Sequence, residues 1–283
     1  MRHRSIIVCS AIGLALITAF VTPFLLNAQG QQPQGQGQGQ GQAGARGRGG
    51  RGQPTGPSKP TPRWPDGHPR IGALPEEKGI WGACCGSLSN AQTPYQPWAK
   101  ALFDYRRTNE FEPHTRCKPS GGARQFVTPY GTEVVEMPDL QKIFIFDIGG
   151  PHTFREIFMD GKPHPKNLVP SYYGDSRGHW EGDTLVVDTL GFNEGFWMDR
   201  AGSPHTEKLH FIEKLTRTDY DTLKYEVTVD DPGAYTATWS NTFQMRWNGG
   251  QELFEYVCQD NNFAPVLLVG QEERVDRTSV IIP

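Results

Sequence analysis

The segment SPHTEKLH, residues 203–210, puts two histidines, a glutamate, a threonine and a lysine into eight positions and runs directly into the apolar FIEKL. Such residues can ligate a metal or move a proton, and their spacing decides which. The histidines are five apart, so this is not the HExxH arrangement that puts two imidazoles on one helical face. On a strand His205 and Glu207 share a face, while His210 takes the other. One regular element therefore offers two ligands where zinc requires three or four; a bend near Lys208 could present all three residues, and no metal ligand is assigned. General acid–base chemistry asks less: a histidine near neutrality and a carboxylate to orient it. His205 with Glu207 meets that need, as does His179 with Asp183 in GHWEGD. His152 and Arg155 flank the start of another apolar run, where Arg155 could hold an anion or a developing oxyanion. These six are the candidate catalytic residues. Tyr172, Tyr173, Trp180, Phe196 and Trp197, with His210, form a candidate ligand-binding wall.

Each candidate has a structural alternative. Asp183 can serve its own turn. Arg155 can pair with an acid on a neighbouring strand. Trp180 and Trp197 can belong to the core, and His210 can be a satisfied structural histidine. Other chemistry finds little support. No GxSxG surrounds a serine, and phosphate loops and dinucleotide fingerprints are absent. There is no CxxCH for haem and no paired CxxC set for zinc or an iron–sulfur cluster, which leaves the cofactor, if any, unassigned. Gly121-Gly122 reads as a surface turn.

The elements that must position these residues are mostly short strands. TEVVEM (132–137), KIFIFDI (142–148), TFREIFM (153–159) and GDTLVVDT (182–189) are rich in β-formers and separated by turns. In TLKYEVTVDDPG, Leu223, Tyr225, Val227 and Val229 share one face, and Phe243, Met245 and Trp247 continue the alternation in TFQMRW. A further strand is expected in ELFEYVCQD. Trp98, Leu102 and Tyr105, with Phe103 beside them, recur at helical spacing after Pro97, which suits a first helical turn. Arg106 and Arg107 read as its solvated edge. The pattern predicts a mainly β fold: an antiparallel meander of seven or eight strands closed, or nearly closed, into a calycin-like barrel with one short N-terminal helix, since closure removes strand edges. A β-sandwich is the alternative.

The flanks speak to location. Arg2 and Arg4 precede an apolar run from Ile6 to Leu26, the pattern of a secretory leader over residues 1–28. An uncleaved leader would act as a membrane tether, and no later segment is apolar enough to span a bilayer. Residues 29–69 are Gly, Gln, Pro and Arg with little to bury, so disorder is expected. This basic tail could touch anionic envelope polymers. Residues 70–283 read as a single domain. Seven of the 28 Lys and Arg and one of the 31 Asp and Glu lie before residue 70, which leaves 21 against 30 and a formal charge of −9 for that domain. A nucleic-acid partner for it is thereby disfavoured. Of Cys84, Cys85, Cys117 and Cys258, one of the adjacent pair is expected to bond Cys117 and the other Cys258.

GPHTFREIFMDGKPHP, GHWEGDTLVVDT, PHTEKLH and DDPGAYTATW together resemble recurrent segments of a broad group of secreted bacterial proteins, common in acidobacteria and proteobacteria. The resemblance spans roughly Cys84 to Gly270. It implies a compact secreted domain and carries no activity across. Three classes of function remain: a small-molecule-binding or carrier protein with an aromatic pocket, a His/Asp/Glu hydrolase, lyase or isomerase with or without a metal, and an envelope structural protein. The supply of aromatics without a catalytic signature favours the first.

Overall fold

The computed structural model describes residues 58–82, 87–148, 154–255 and Cys258. His152, Cys84, Cys85, the leader and most of the basic tail lie outside them. Nine strands among the described residues close into one barrel in sequence order: β1 (Gly79–Gly82), β2 (Thr132–Met137), β3 (Lys142–Asp147), β4 (Phe154–Phe158), β5 (Asp175–Glu181), β6 (Thr184–Leu190), β7 (His210–Asp219), β8 (Thr222–Asp230) and β9 (Trp239–Gly249). β1 completes the circle, with Trp81 opposite both Trp247 of β9 and Thr132 of β2.

The alternation expected for β8 and β9 is realised: Leu223, Tyr225, Val227, Val229, Phe243, Met245 and Trp247 are all buried. Inside, Tyr225 packs on Phe126 and Phe243 at ring separations of 4.6 and 5.0 Å. Several expectations are corrected. One join in the meander is parallel: Ile157 pairs Ser176 and Phe158 pairs Arg177. The chain must therefore return along the wall through residues 159–174, where Pro163, Pro165 and Pro170 interrupt any strand. β5 was hidden in the sequence because two of its inward positions are Ser176 and Gly178, which give no apolar alternation. A Cβ at Gly178 would lie 2.4 Å from the Met159 sulfur, so the packing leaves no room for a larger residue. Residues 251–255 form no strand, since β1 already occupies the free edge of β9.

Gly121 and Gly122 are not a surface turn. They open a 3₁₀ segment, Gly122–Val127, whose residues are all buried. Gly121 has φ +76°, and a Cβ there would strike the Phe196 ring at 2.4 Å. The helix α1 (Pro97–Asn109) starts on Pro97 as expected, but its inward face is rotated from the aromatic stripe. Trp98 and Tyr105 are exposed, whereas Ala99 is fully buried. Arg106, only 15% exposed, lies over the Trp197 ring instead of forming a solvated edge.

The folded part also begins earlier than residue 70. Tyr220 N–H donates to Lys59 O at 3.0 Å, and Thr61 Oγ1 donates to Arg217 O at 2.9 Å. Arg217 in turn donates to the carbonyls of Arg70 and Gly72 at 2.7 and 3.1 Å. Ile71 is fully buried at this end of the barrel, its carbonyl accepting from Trp81 Nε1. These contacts fix an arm of proline, tryptophan and arginine that composition alone assigned to the disordered tail. A disulfide joins Cys117 directly to Cys258, which corrects the pairing expected through Cys84 and Cys85.

Candidate functional site

The arm and the ends of β2, β3, β4 and β5 leave a groove of about 330 Å³ at one mouth of the barrel. Trp64 and His68 come from the arm, Glu136 and Met137 from β2, Met159 from the end of β4 and Trp180 from β5. The imidazole of His68 stacks on Trp180 at 5.1 Å with planes 21° apart. Trp64 is backed on its ring by the Arg70 guanidinium at 3.7 Å. Glu136 anchors the arm: its carboxylate accepts from Trp64 Nε1 at 3.1 Å and from Gly72 N at 2.8 Å. Burial raises the Glu136 pKa, and these two donors and Arg70 offset only part of that effect. A second groove of about 550 Å³ adjoins the first and shares Trp64, Asp66, Glu136, Met137 and Pro138 with it.

Of the residues expected from sequence that lie among the described residues, Trp180 alone belongs to this groove. Arg155 lies inside the barrel, 1% exposed, and makes a bidentate pair with the fully buried Glu213. Its Nε donates to Ser176 Oγ at 3.0 Å and its Nη2 to Thr189 Oγ1 at 2.8 Å. Burial acts to lower the Arg155 pKa, but the Glu213 charge overrides it and the net shift is upward. Tyr225 donates its hydroxyl to Glu213 at 2.6 Å, and burial together with that charge holds the phenol protonated far above its usual range. Every guanidinium nitrogen of Arg155 is thus engaged, the pairing with a neighbouring acid that the sequence left open.

The two proposed His–carboxylate pairs do not form. His179 is exposed on β5 and contacts Glu181 at 3.2 Å, while Asp183 binds Arg63 of the arm at 2.8 and 2.5 Å. His205 is buried beside Phe196, with ring centroids 4.2 Å apart, and its Nε2 meets Phe196 O at 3.0 Å. Burial lowers its pKa against the pull of two nearby carbonyls. Glu207 is exposed within the turn that follows, its backbone N–H donating to the Glu194 carboxylate. The segment is irregular before β7, so strand periodicity never applied to it.

His210 does meet an acid, one that sequence reasoning passed over. Its Nε2 is 2.9 Å from Asp188 Oδ1 on β6, and His164 Nε2 approaches the same oxygen at 3.1 Å. His164 Nδ1 contacts Asp175 Oδ1 at 2.7 Å, and Arg177 holds Asp175 from beside it. This row pins the crossover 159–174 to the barrel wall. Among the described residues no group of three or more His, Cys, Asp or Glu is arranged to hold a metal ion.

The aromatic wall is likewise divided. Tyr172 and Phe196 are 6.4 Å apart near the start of β5, with Tyr173 half-buried beside them in the chain. Trp197 is covered by Arg106 of α1, and Trp180 stands at the other end of β5. Trp64, His68, Glu136, Met137 and Met159 were missed. Trp64 and His68 sit in TPRWPDGHPR, where flanking prolines erase any periodic signal; a tryptophan in an otherwise non-apolar tail was the available clue. No family model matches the chain, and no curated protein or solved structure matches it.

Proposed function

We propose that the protein is an extracytoplasmic binding or carrier protein that takes a small molecule in the groove at the barrel mouth. The observation that carries this reading is the convergence of Trp64, His68 and Trp180 with two methionine thioethers around a half-buried carboxylate, Glu136. The volume falls at the lower end of the range for drug-sized ligands, and aromatic walls with few polar groups are their usual surroundings. The Cys117–Cys258 bond supports an oxidising compartment, as does the leader read from the sequence. No helix among the described residues is long and apolar enough to cross a membrane. Membership of the secreted group that the sequence resembles is part of the same proposal.

The acid–base alternative has one observation in its favour, the row His164–Asp188–His210. None of its members lines the groove. The test of the binding reading is native mass spectrometry of the mature protein gently isolated from its own host, with Nile red titration of the stripped protein beside it. A single bound organic molecule, and dye binding lost in Trp180→Ala but kept in Phe154→Ala, is the expected result. Dye binding equal in both variants would refute the groove.

A further inference from the structure

The charges around the groove point to the chemistry of its occupant. We propose that it takes an organic cation, a flat aromatic body carrying a quaternary or protonated nitrogen. This rests on the binding reading above and adds the ligand class.

Two carboxylates line the groove, Asp66 and Glu136, and a third, Asp139, lines the adjoining one. Glu136 accepts only from neutral donors, Trp64 Nε1 and Gly72 N, and forms no ion pair among the described residues. The charge of Arg70 offsets part of the burial of Glu136, but among the described residues no cation stands within ion-pair distance, so one in the groove would stabilise the carboxylate further. Burial also raises the Glu136 pKa, so its ionised form gains from any positive neighbour.

Arg70 and Arg217 act on Glu136 through their charge without lining the groove, and the other nearby cations are held by other acids. Lys142 lines the groove, but its Nζ is 2.5 Å from Glu156 Oε1 and lies over the Phe158 ring at 5.3 Å. Arg70 stacks on Trp64 and does not line the groove, and Arg63 is bound to Asp183. His68, the remaining titratable group, contacts Asp66 at 3.0 Å. Indole faces are the best side-chain partners for a cation, and Trp64 and Trp180 both line this site. The formal charge of −9 over residues 70–283 acts at longer range to draw cations and repel anions.

The experiment is calorimetric titration of the full mature chain at pH 8 and low salt with two probes of matched shape, N-methylquinolinium and neutral quinoline. The expected result is one site per chain that binds N-methylquinolinium at least about tenfold tighter than quinoline. Glu136→Gln should remove that preference while leaving quinoline affinity within about threefold. Because Glu136 also anchors the arm, Asp139→Asn serves as a second variant. It should lower cation affinity about two- to threefold and leave quinoline unaffected. Trp180→Ala should weaken both probes together. Equal affinities, both sensitive to Trp180→Ala, would overturn the ligand class and leave the groove standing. Absence of binding by either probe, or binding indifferent to Trp180→Ala, would overturn the groove and the ligand class with it.

Discussion

Replacing Arg155 with methionine tests whether this residue is structural or chemical. In the folded protein its guanidinium satisfies Glu213, Ser176 and Thr189 within a sealed interior. Methionine fills much of the space but leaves Glu213 with the Tyr225 hydroxyl as its remaining partner in that network. Breaking a buried ion pair on one side costs about 3–5 kcal/mol, because the surviving charge stays desolvated. Ser176 and Thr189 still reach each other at 3.0 Å, so they add little. For a domain of this size the loss corresponds to a fall of roughly 6–20 °C in Tm. Removing both charges, as Arg155→Met with Glu213→Leu, relieves the desolvation but strands the Tyr225 hydroxyl at a cost of about 1–3 kcal/mol. Adding Tyr225→Phe should bring the triple variant within about 1 kcal/mol of the parent. Urea unfolding followed by tryptophan fluorescence measures all three. A single variant that loses less than about 1 kcal/mol, or a triple variant no better than the single, would refute the buried network as the reason for Arg155.

His205→Ala should lose about 2–4 kcal/mol through the vacated space and the bond to Phe196 O, with Nile red affinity unchanged; a loss of dye binding at unchanged stability would restore a functional role. The lowered His205 pKa means the folded state resists protonation, so its contribution is full above about pH 6.5 and falls as pH drops below that value. Urea midpoints at pH 7.5 and 5.5 should therefore differ more for the parent than for His205→Ala. Cys117→Ser with Cys258→Ser opens a loop with a sequence separation of 141 and should cost up to about 5 kcal/mol by chain entropy, measurable by the same unfolding. Gly121→Ala should be destabilising by more than about 1 kcal/mol, since it combines a positive φ with a clash on Phe196; a neutral outcome in thermal melts would mean that this segment repacks freely.

The barrel was legible because its walls obey a period of two. Leu223 to Val229 and Phe243 to Trp247 announced their inward faces without help from the rest of the chain. Pro97 marked the start of α1 for an equally local reason, its fixed φ and missing N–H. β5 escaped because closeness to Met159 and Ile157 demands small residues there, and small residues carry no hydrophobic signal. The inward-facing Glu213 and Arg217 on β7 escaped for the opposite reason, since charges read as a solvated face until their partners are known.

The sequence by itself determined most of the strands, which face of most of them is apolar, and the acidic balance. It could not say which strands are neighbours or which residues share a volume. Arg155 finds Glu213 across 58 residues, and Trp64 finds Glu136 across 72. Side-chain alternation specifies a face but is blind to register, and a candidate pair such as His205 and Glu207 can be close in sequence yet divided, one buried and the other exposed in a turn. Closure of the barrel, the one parallel join and the docking of the 58–72 arm decided which polar groups meet. Those are long-range choices, made by burying apolar surface while buried charges such as Arg155, Arg217 and Asp199 find ionic or hydrogen-bonding partners.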